Sequence, residues 1–214
     1  MTEKLLTLLK AQHPLRRCDA GEFSALKANG MSFTVEAYEA EGLGHVSVMR
    51  AKGFFGLMKM DTLIVNPTER DLPLYSYDRI LAMGNDTLIA ELYDTTVGGF
   101  TAPELDALLR RSADLPDRDP GTHWYDDIRL PQSISKKGKK PERQAFDNLA
   151  QAHFAAWLAT RCPPLTDKAA KRAKAAAYVD GLLTHGGPST DVFKKALGQE
   201  KTEQLFRKVL FGTE

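Results

Sequence analysis

Between Met31 and Thr95 five runs of strand-like texture follow one another: FTVEAYEA, HVSVMRA, MDTLIVNP, LPLYSYDRILAM and TLIAELYDT. Turn residues around Gly42 and Gly44, a break at Gly53 to Gly56, and the pair Gly84-Asn85 separate them. None of these gaps has room for a helix. Parallel neighbours need a crossover of roughly a dozen residues or more, whereas antiparallel ones join through tight turns. The segment is therefore predicted to be an antiparallel meander of about five or six strands, and a parallel dinucleotide-binding sheet is excluded. Gly84-Asn85 supplies the positive φ that a two-residue hairpin turn requires.

Both flanks read as helical. Leu5, Leu6, Leu8 and Leu9, followed by Pro14, predict a first helix ending near His13, and a second covers Glu22 to Ala28, closed by Asn29-Gly30. After Gly98-Gly99 a helix is predicted over 102–111, then a loop rich in Pro and Asp through Pro120 and a segment around Trp124. SKKGKK is polar and aperiodic and reads as a mobile surface loop. Helices resume over 143–160, 167–183, 190–197 and 199–211. Helices on both sides of a central antiparallel sheet imply an α+β fold, a three-layer α/β/α sandwich, with residues 1–214 as one domain.

Function classes fall away quickly. GxGxxG after a strand, GxxxxGK[ST], HExxH and GxSxG are all missing, which removes the usual nucleotide, zinc-protease and serine-hydrolase readings. No apolar run approaches the roughly 20 residues that span a bilayer, and the first residues lack a cleavage site, so a cytoplasmic protein is expected. Cys18 and Cys162 read as free thiols. His153 recurs with Phe146, Leu149, Phe154 and Trp157 on an apolar helix face, the position of a hydrogen-bonded core histidine. A net charge of +1 argues against a nucleic-acid partner, yet it hides an asymmetry. Residues 136–174 hold ten basic and three acidic side chains, a balance of +7, leaving 19 basic and 25 acidic elsewhere, or −6.

The chemically informative position is Asp78. Alternation along LPLYSYDRILAM puts Leu72, Leu74, Ser76, Asp78, Ile80 and Ala82 on one face, so a carboxylate shares a surface with large aliphatic side chains. Such a group must be protonated, paired or hydrogen-bonded, and burial raises its pKa towards that of a proton donor near neutrality. Pairing with a basic residue of a covering helix is the competing, purely structural reading. Asp61, on the strand with Leu63 and Val65, is a further carboxylate that could face a shared cleft, while Asp94 reads as a strand-end turn residue.

The run NPTERDLPLYSYDRILAMGNDTLIAELYDTTV resembles the core of the ferredoxin-dependent bilin reductases: a Pro-ended strand, an LP-aromatic-x-x-D strand, a turn and a further strand. STDVFKKALGQEKTEQLFRKVLFG resembles that family's closing helices, and Trp124, Glu142 and Phe146 fit its middle segment more loosely. The two main matches cover about 55 residues. The resemblance implies an α/β/α sandwich that binds an open-chain tetrapyrrole such as biliverdin between the sheet and the C-terminal helices. It also implies electrons arriving one at a time from reduced ferredoxin, a bilin radical that is protonated, and no cofactor bound by the protein itself.

The family's essential aspartate falls on Asp78. The position of the catalytic histidine of the family's phycocyanobilin-forming branch holds Thr62, or Asp61 if the connecting turn aligns without a gap, and that branch's glutamate position falls near Met49 or Arg50. Those departures imply a divergent branch, with catalytic residues among Asp78, Asp61 and Thr62, that reduces biliverdin by two electrons or acts on another linear tetrapyrrole to give a phycobilin-type product. Substrate contacts are expected from Arg50, Leu74, Ser76, Ile80 and Val192, with Arg50 holding a propionate. The +7 segment is the expected docking face for an acidic ferredoxin, and haem oxygenase is an expected upstream partner. The alternatives are an enzyme like red chlorophyll catabolite reductase and a non-catalytic bilin- or haem-binding protein.

Overall fold

The fold was obtained as a computed structural model that describes residues 1–214, the side chain of Pro188 excepted. Its centre is an eight-stranded antiparallel sheet. The strands are β1 (Leu15–Cys18), β2 (Ala25–Ala28), β3 (Met31–Ala40), β4 (Gly44–Gly53), β5 (Met58–Pro67), β6 (Leu74–Ala82), β7 (Asn85–Tyr93) and β8 (Ile134–Gly138). They run in the order β1-β3-β4-β5-β6-β7-β8, with β2 also paired to β3, so the five strands from β3 to β7 form the predicted meander. The helices are α1 (Thr2–Lys10), α2 (Pro103–Arg111), α3 (Arg143–Ala159), α4 (Lys168–His185), α5 (Pro188–Leu197) and α6 (Gln199–Gln204), the last continued by a π-helical stretch Leu205–Leu210. None of them is long and apolar enough to cross a membrane.

Strand alternation separates two cores. Leu63, Val65, Tyr75, Tyr77, Leu88, Ala90 and Leu92 face α1, α2 and α3. Met49, Ile64, Leu74 and Tyr93 face the other way, towards α4, α5 and the π-helical stretch. The result is the expected α/β/α sandwich. In the first core Tyr75 packs among His153, Phe154 and Trp157, with ring centroids 4.9–5.6 Å away. Its hydroxyl donates to His153 Nδ1 at 3.0 Å while His153 Nε2 donates to the Gln132 carbonyl at 2.8 Å. Burial pushes His153 down to about 4, so it is the neutral core histidine the sequence suggested.

Five local expectations are corrected. Residues 22–28 are not a helix but a 3-10 turn (Gly21–Ser24) and strand β2. Asn29 and Gly30, both at positive φ, are the turn of the β2-β3 hairpin and not a helix end. The β6-β7 turn is Met83-Gly84, both with positive φ, and Asn85 already pairs with Ala82. SKKGKK is largely strand β8, paired to β7 on one side and hydrogen-bonded on the other to residues 116–118, where Arg118 N donates to the Ser135 carbonyl and Lys137 N to that of Pro116. With β1 and β2 these additions bring the strand count to eight. Leu72 precedes the break at Pro73 and belongs to the first core, so it does not share a face with Asp78.

The basic segment 136–174 is also divided. Lys136 is buried against Asp117, and Lys171 is fully buried, with Nζ donating to the Leu72 carbonyl and to Thr95 Oγ1. Arg143 pairs with Asp86, and Lys168 with Glu69. Lys137, Lys139 and Lys140 are exposed before α3, whereas Arg161, Arg172 and Lys174 are exposed beyond it. A helix of this length, about 25 Å, stands between the two groups.

Candidate active site

The face of β4–β7 turned towards α4, α5 and the π-helical stretch carries the cavities. Sequence register places Met60, Thr62 and Ile64 of β5, Ser76, Asp78 and Ile80 of β6, and Ile89, Glu91 and Tyr93 of β7 side by side on it. A cavity of about 460 Å³ lies over Met31, Phe33, Met58, Met60, Ile80 and Ile89, and Val192 and Phe193 of α5 close its other side. A smaller space of about 130 Å³ adjoins it under Phe206, Leu210 and Phe211. Asp78, Glu91, Tyr125 and Ser189 line both. The larger volume lies within the roughly 300–1,000 Å³ typical of small-molecule sites, and its lining is mostly apolar with a few polar groups.

The roof is held by polar side chains of the sheet. The last helical carbonyls have no partner within a helix. His45 Nε2 donates to the Val209 carbonyl at 2.8 Å, Ser47 Oγ to Leu210 at 2.7 Å, and Asn66 Nδ2 to Phe211 at 2.8 Å. Gly212, at φ 58°, lies against the His45 ring, where a Cβ would come within 2.3 Å of its Cγ. The aromatic end of the chain is thereby fixed over the smaller cavity.

Asp78 is only partly open to the cavity. Burial pushes its carboxyl up to about 6, the hydrogen bond from the Thr62 hydroxyl pulls it down, and the negative charge of Glu91 pushes it up again. No basic residue of a covering helix pairs with it among the described residues, so the competing structural reading is not realised. Asp78 can thus hold a proton near neutrality and give it to a ligand atom in the cavity.

Thr62, Ser76, Asp78, Ile80 and Val192 are brought together in the cavity walls. Leu74 faces the same side but is buried in the core and touches neither space. Asp61 and Arg50 are corrections. One position out of phase with Thr62 and Met49, they project to the opposite face. There Asp61 meets the Met1 amino group at 3.0 Å, while Arg50 pairs with Glu36 at 2.9 Å and with Glu3. Asp94 is a turn residue whose Oδ1 accepts from Thr96 N at 3.0 Å.

Sequence reading passed over Glu91, Tyr93, Tyr125, Tyr178, Arg118 and His123. On β7 the even-numbered Leu88, Ala90 and Leu92 draw attention, yet they face the first core. The odd positions repeat the pattern of Asp78, with a carboxylate between Ile89 and Tyr93, and that is the signal for Glu91. Its Oε2 accepts from the Tyr93 hydroxyl at 2.6 Å and its Oε1 from Arg129 Nη1 at 3.3 Å. The Tyr93 and Tyr178 rings stack at 4.2 Å. Arg118 and His123 come from the loop rich in Pro and Asp, and Arg118 is the permanent cation among the residues lining the two spaces. Its guanidinium makes one long hydrogen bond, 3.3 Å, to Ser135 Oγ. Among the described residues no three His, Cys, Asp or Glu side chains form a metal site.

No protein-family model matches the chain, and no curated protein matches it. Among solved structures it is similar to phytochromobilin synthase from tomato in complex with biliverdin, with a TM-score of 0.75 and 16% sequence identity over 100% of this chain and 83% of that one. The chain therefore shares the fold of that phytochromobilin synthase.

Proposed function

We propose that the protein is an oxidoreductase that reduces a linear tetrapyrrole of the biliverdin type, with Asp78 as the proton donor. The observation that carries this reading is a carboxyl raised to about 6 on the floor of a mostly apolar cavity of about 460 Å³, in a fold shared with an enzyme solved with biliverdin. An open-chain tetrapyrrole offers a flat apolar body for Ile80, Ile89, Met60 and Phe193, pyrrole nitrogens for Asp78, and two carboxylates for cationic side chains. Arg118, which among the described residues has no carboxylate partner, takes the anchoring role expected of Arg50.

Protonation by Asp78 makes the ring system easier to reduce, and the apolar walls exclude water from the reactive intermediate. The electrons come singly from a reduced ferredoxin, the chemistry resides in the substrate and that donor, and the product is of phycobilin type. Thr62 beside Asp78, where the phycocyanobilin-forming branch of the resembled family carries histidine, supports a two-electron reaction with Asp78 as the principal acid. For docking of the acidic donor, Lys137, Lys139 and Lys140 form the group nearest to the β7-β8 end of the sheet.

The test is anaerobic mixing with biliverdin and reduced ferredoxin, followed by chromatography of the pigments. Wild-type protein is expected to convert biliverdin progressively to a reduced bilin, and Asp78→Asn to bind it with a shifted spectrum and not turn it over. A spectrum that shifts once and stays fixed for the wild type identifies a carrier instead, and full activity of Asp78→Asn removes Asp78 from the chemistry.

A further inference from the structure

We propose that Glu91 is the relay that resupplies Asp78 with protons: its carboxyl takes a proton from water in an outer pocket and passes it to Asp78 once Asp78 has protonated the ligand. The inference rests on the reductive reading above. Reduction of a double bond consumes two protons for two electrons, and Asp78 carries one proton at a time. In a site walled by Met, Ile, Phe and Tyr side chains, the path by which the acid is reloaded becomes part of the reaction.

Glu91 has the placement for this. It lines both inner spaces and also a separate outer pocket of about 310 Å³, bounded by Pro120, Asp126, Arg129, Ser133 and Ser135. Asp78 lines the two inner spaces but not the outer pocket. In the β6-β7 register Asp78 opposes Ile89 and Ser76 opposes Glu91, so the two acids are diagonal neighbours on one face. Their Cα separation is then about 7–8 Å, which one ordered water between the carboxyls can bridge.

The groups around the relay are accounted for. Tyr93 donates to Glu91 Oε2, and Arg129 reaches Oε1 at 3.3 Å while pairing at 3.0 Å with Asp126. Thr62 donates to Asp78, and Tyr125, Arg118 and His123 face the same cavity. Tyr178 closes the smaller space. Arg129 is thus shared between two carboxylates, and Glu91 is the acid common to the inner spaces and the outer pocket. The steps balance without electrons passing through the protein. An Asp78 O–H bond breaks as a bond from hydrogen to the ligand forms. A Glu91 O–H bond then breaks as that of Asp78 is restored, and water in the outer pocket gives a proton to Glu91, the hydroxide left being neutralised by a proton from the bulk buffer.

The experiment compares wild type, Glu91→Gln and Glu91→Asp with biliverdin and reduced ferredoxin, in single turnover with enzyme in excess and in steady state, with and without formate as a small proton carrier. Glu91→Gln is expected still to bind biliverdin and to complete a first protonation in single turnover, shifted to lower pH because the charge that raises the Asp78 carboxyl is gone. Its steady-state rate should fall by about tenfold or more and recover in part with formate, and Glu91→Asp should retain intermediate activity. An unchanged steady-state rate in Glu91→Gln overturns the relay and leaves the reductive reading standing. Equal losses in the first step and in steady state, with no rescue by formate or by Glu91→Asp, mark a structural role and also overturn it. Absence of any reduction by wild type overturns the reading and the relay together.

Discussion

Thr62 and Asp78 are directly opposed on neighbouring strands, and the threonine hydroxyl donates to the carboxylate Oδ1. This bond favours the ionised acid and works against the burial that favours the neutral one. Thr62→Val removes the donor while keeping shape, so the Asp78 carboxyl should titrate above about 6 and hold its proton at higher pH. Infrared absorption of the protonated carboxyl, followed against pH, measures this directly. Thr62→Ser, which keeps the hydroxyl, should titrate like wild type.

The same raised pKa makes a prediction about stability. The folded value, about 6 against an ordinary 3.8, lies above the unfolded one, so the fold binds the proton more tightly than the unfolded chain does. The stabilisation from Asp78 is therefore complete below about pH 4 and is lost as the pH rises through about 6. At pH 8 the ionised, partly buried carboxylate is a liability. Asp78→Asn should then be more stable than wild type by about 1–3 kcal/mol at pH 8, with the difference shrinking towards zero near pH 4. Urea unfolding of both proteins at the two pH values tests the sign and the size.

The sheet and the acid on it were legible because period-2 alternation and glycine-bounded turns are local signals. Asp78 stood out because its own strand neighbours are apolar. What escaped reading depends on partners distant in sequence. Asn29-Gly30 has the same chemistry whether it ends a helix or turns a hairpin, and only the pairing of β2 with β3 decides. Strand β8, rich in lysine, has no apolar alternation of its own and is held by β7. Arg50 and Asp61 each lie one residue out of phase with a position that faces the cavity, and in a strand a shift of one residue reverses the face. Arg118 and His123 reach the site from a loop, whose path carries no periodicity to read.

The sheet's hold on the π-helical roof predicts an ordered pair of mutational effects. Asn66 Nδ2 donates to the Phe211 carbonyl, while Asn66 Oδ1 is buried without a partner. Asn66→Ala loses a donor and also an unsatisfied acceptor, so it should cost only about 1 kcal/mol. Asn66→Asp sets a carboxylate oxygen against the carbonyl and should cost about 3 kcal/mol or more. Thermal unfolding ranks the two, and hydrogen exchange in the last ten or so residues reports whether the loss is local to the roof.

The two arginines considered as ligand anchors should separate cleanly. Arg118 lines the larger cavity with its guanidinium largely uncommitted, whereas Arg50 lies on the opposite face, tied to Glu3 and Glu36. A charged hydrogen bond contributes about 1.5–3 kcal/mol, so Arg118→Ala should weaken biliverdin binding by roughly ten- to a hundredfold. Arg50→Ala should leave biliverdin affinity within about twofold, because its partly exposed ion pairs lie on the far face and, at about 1 kcal/mol, bear on stability alone. Titration of the biliverdin absorption spectrum measures both. The dimethyl ester of biliverdin sharpens the comparison: an Arg118 that grips a propionate should discriminate against the ester in wild type and lose that discrimination in Arg118→Ala. Equal ester discrimination in the two proteins would assign the propionates to some other cation.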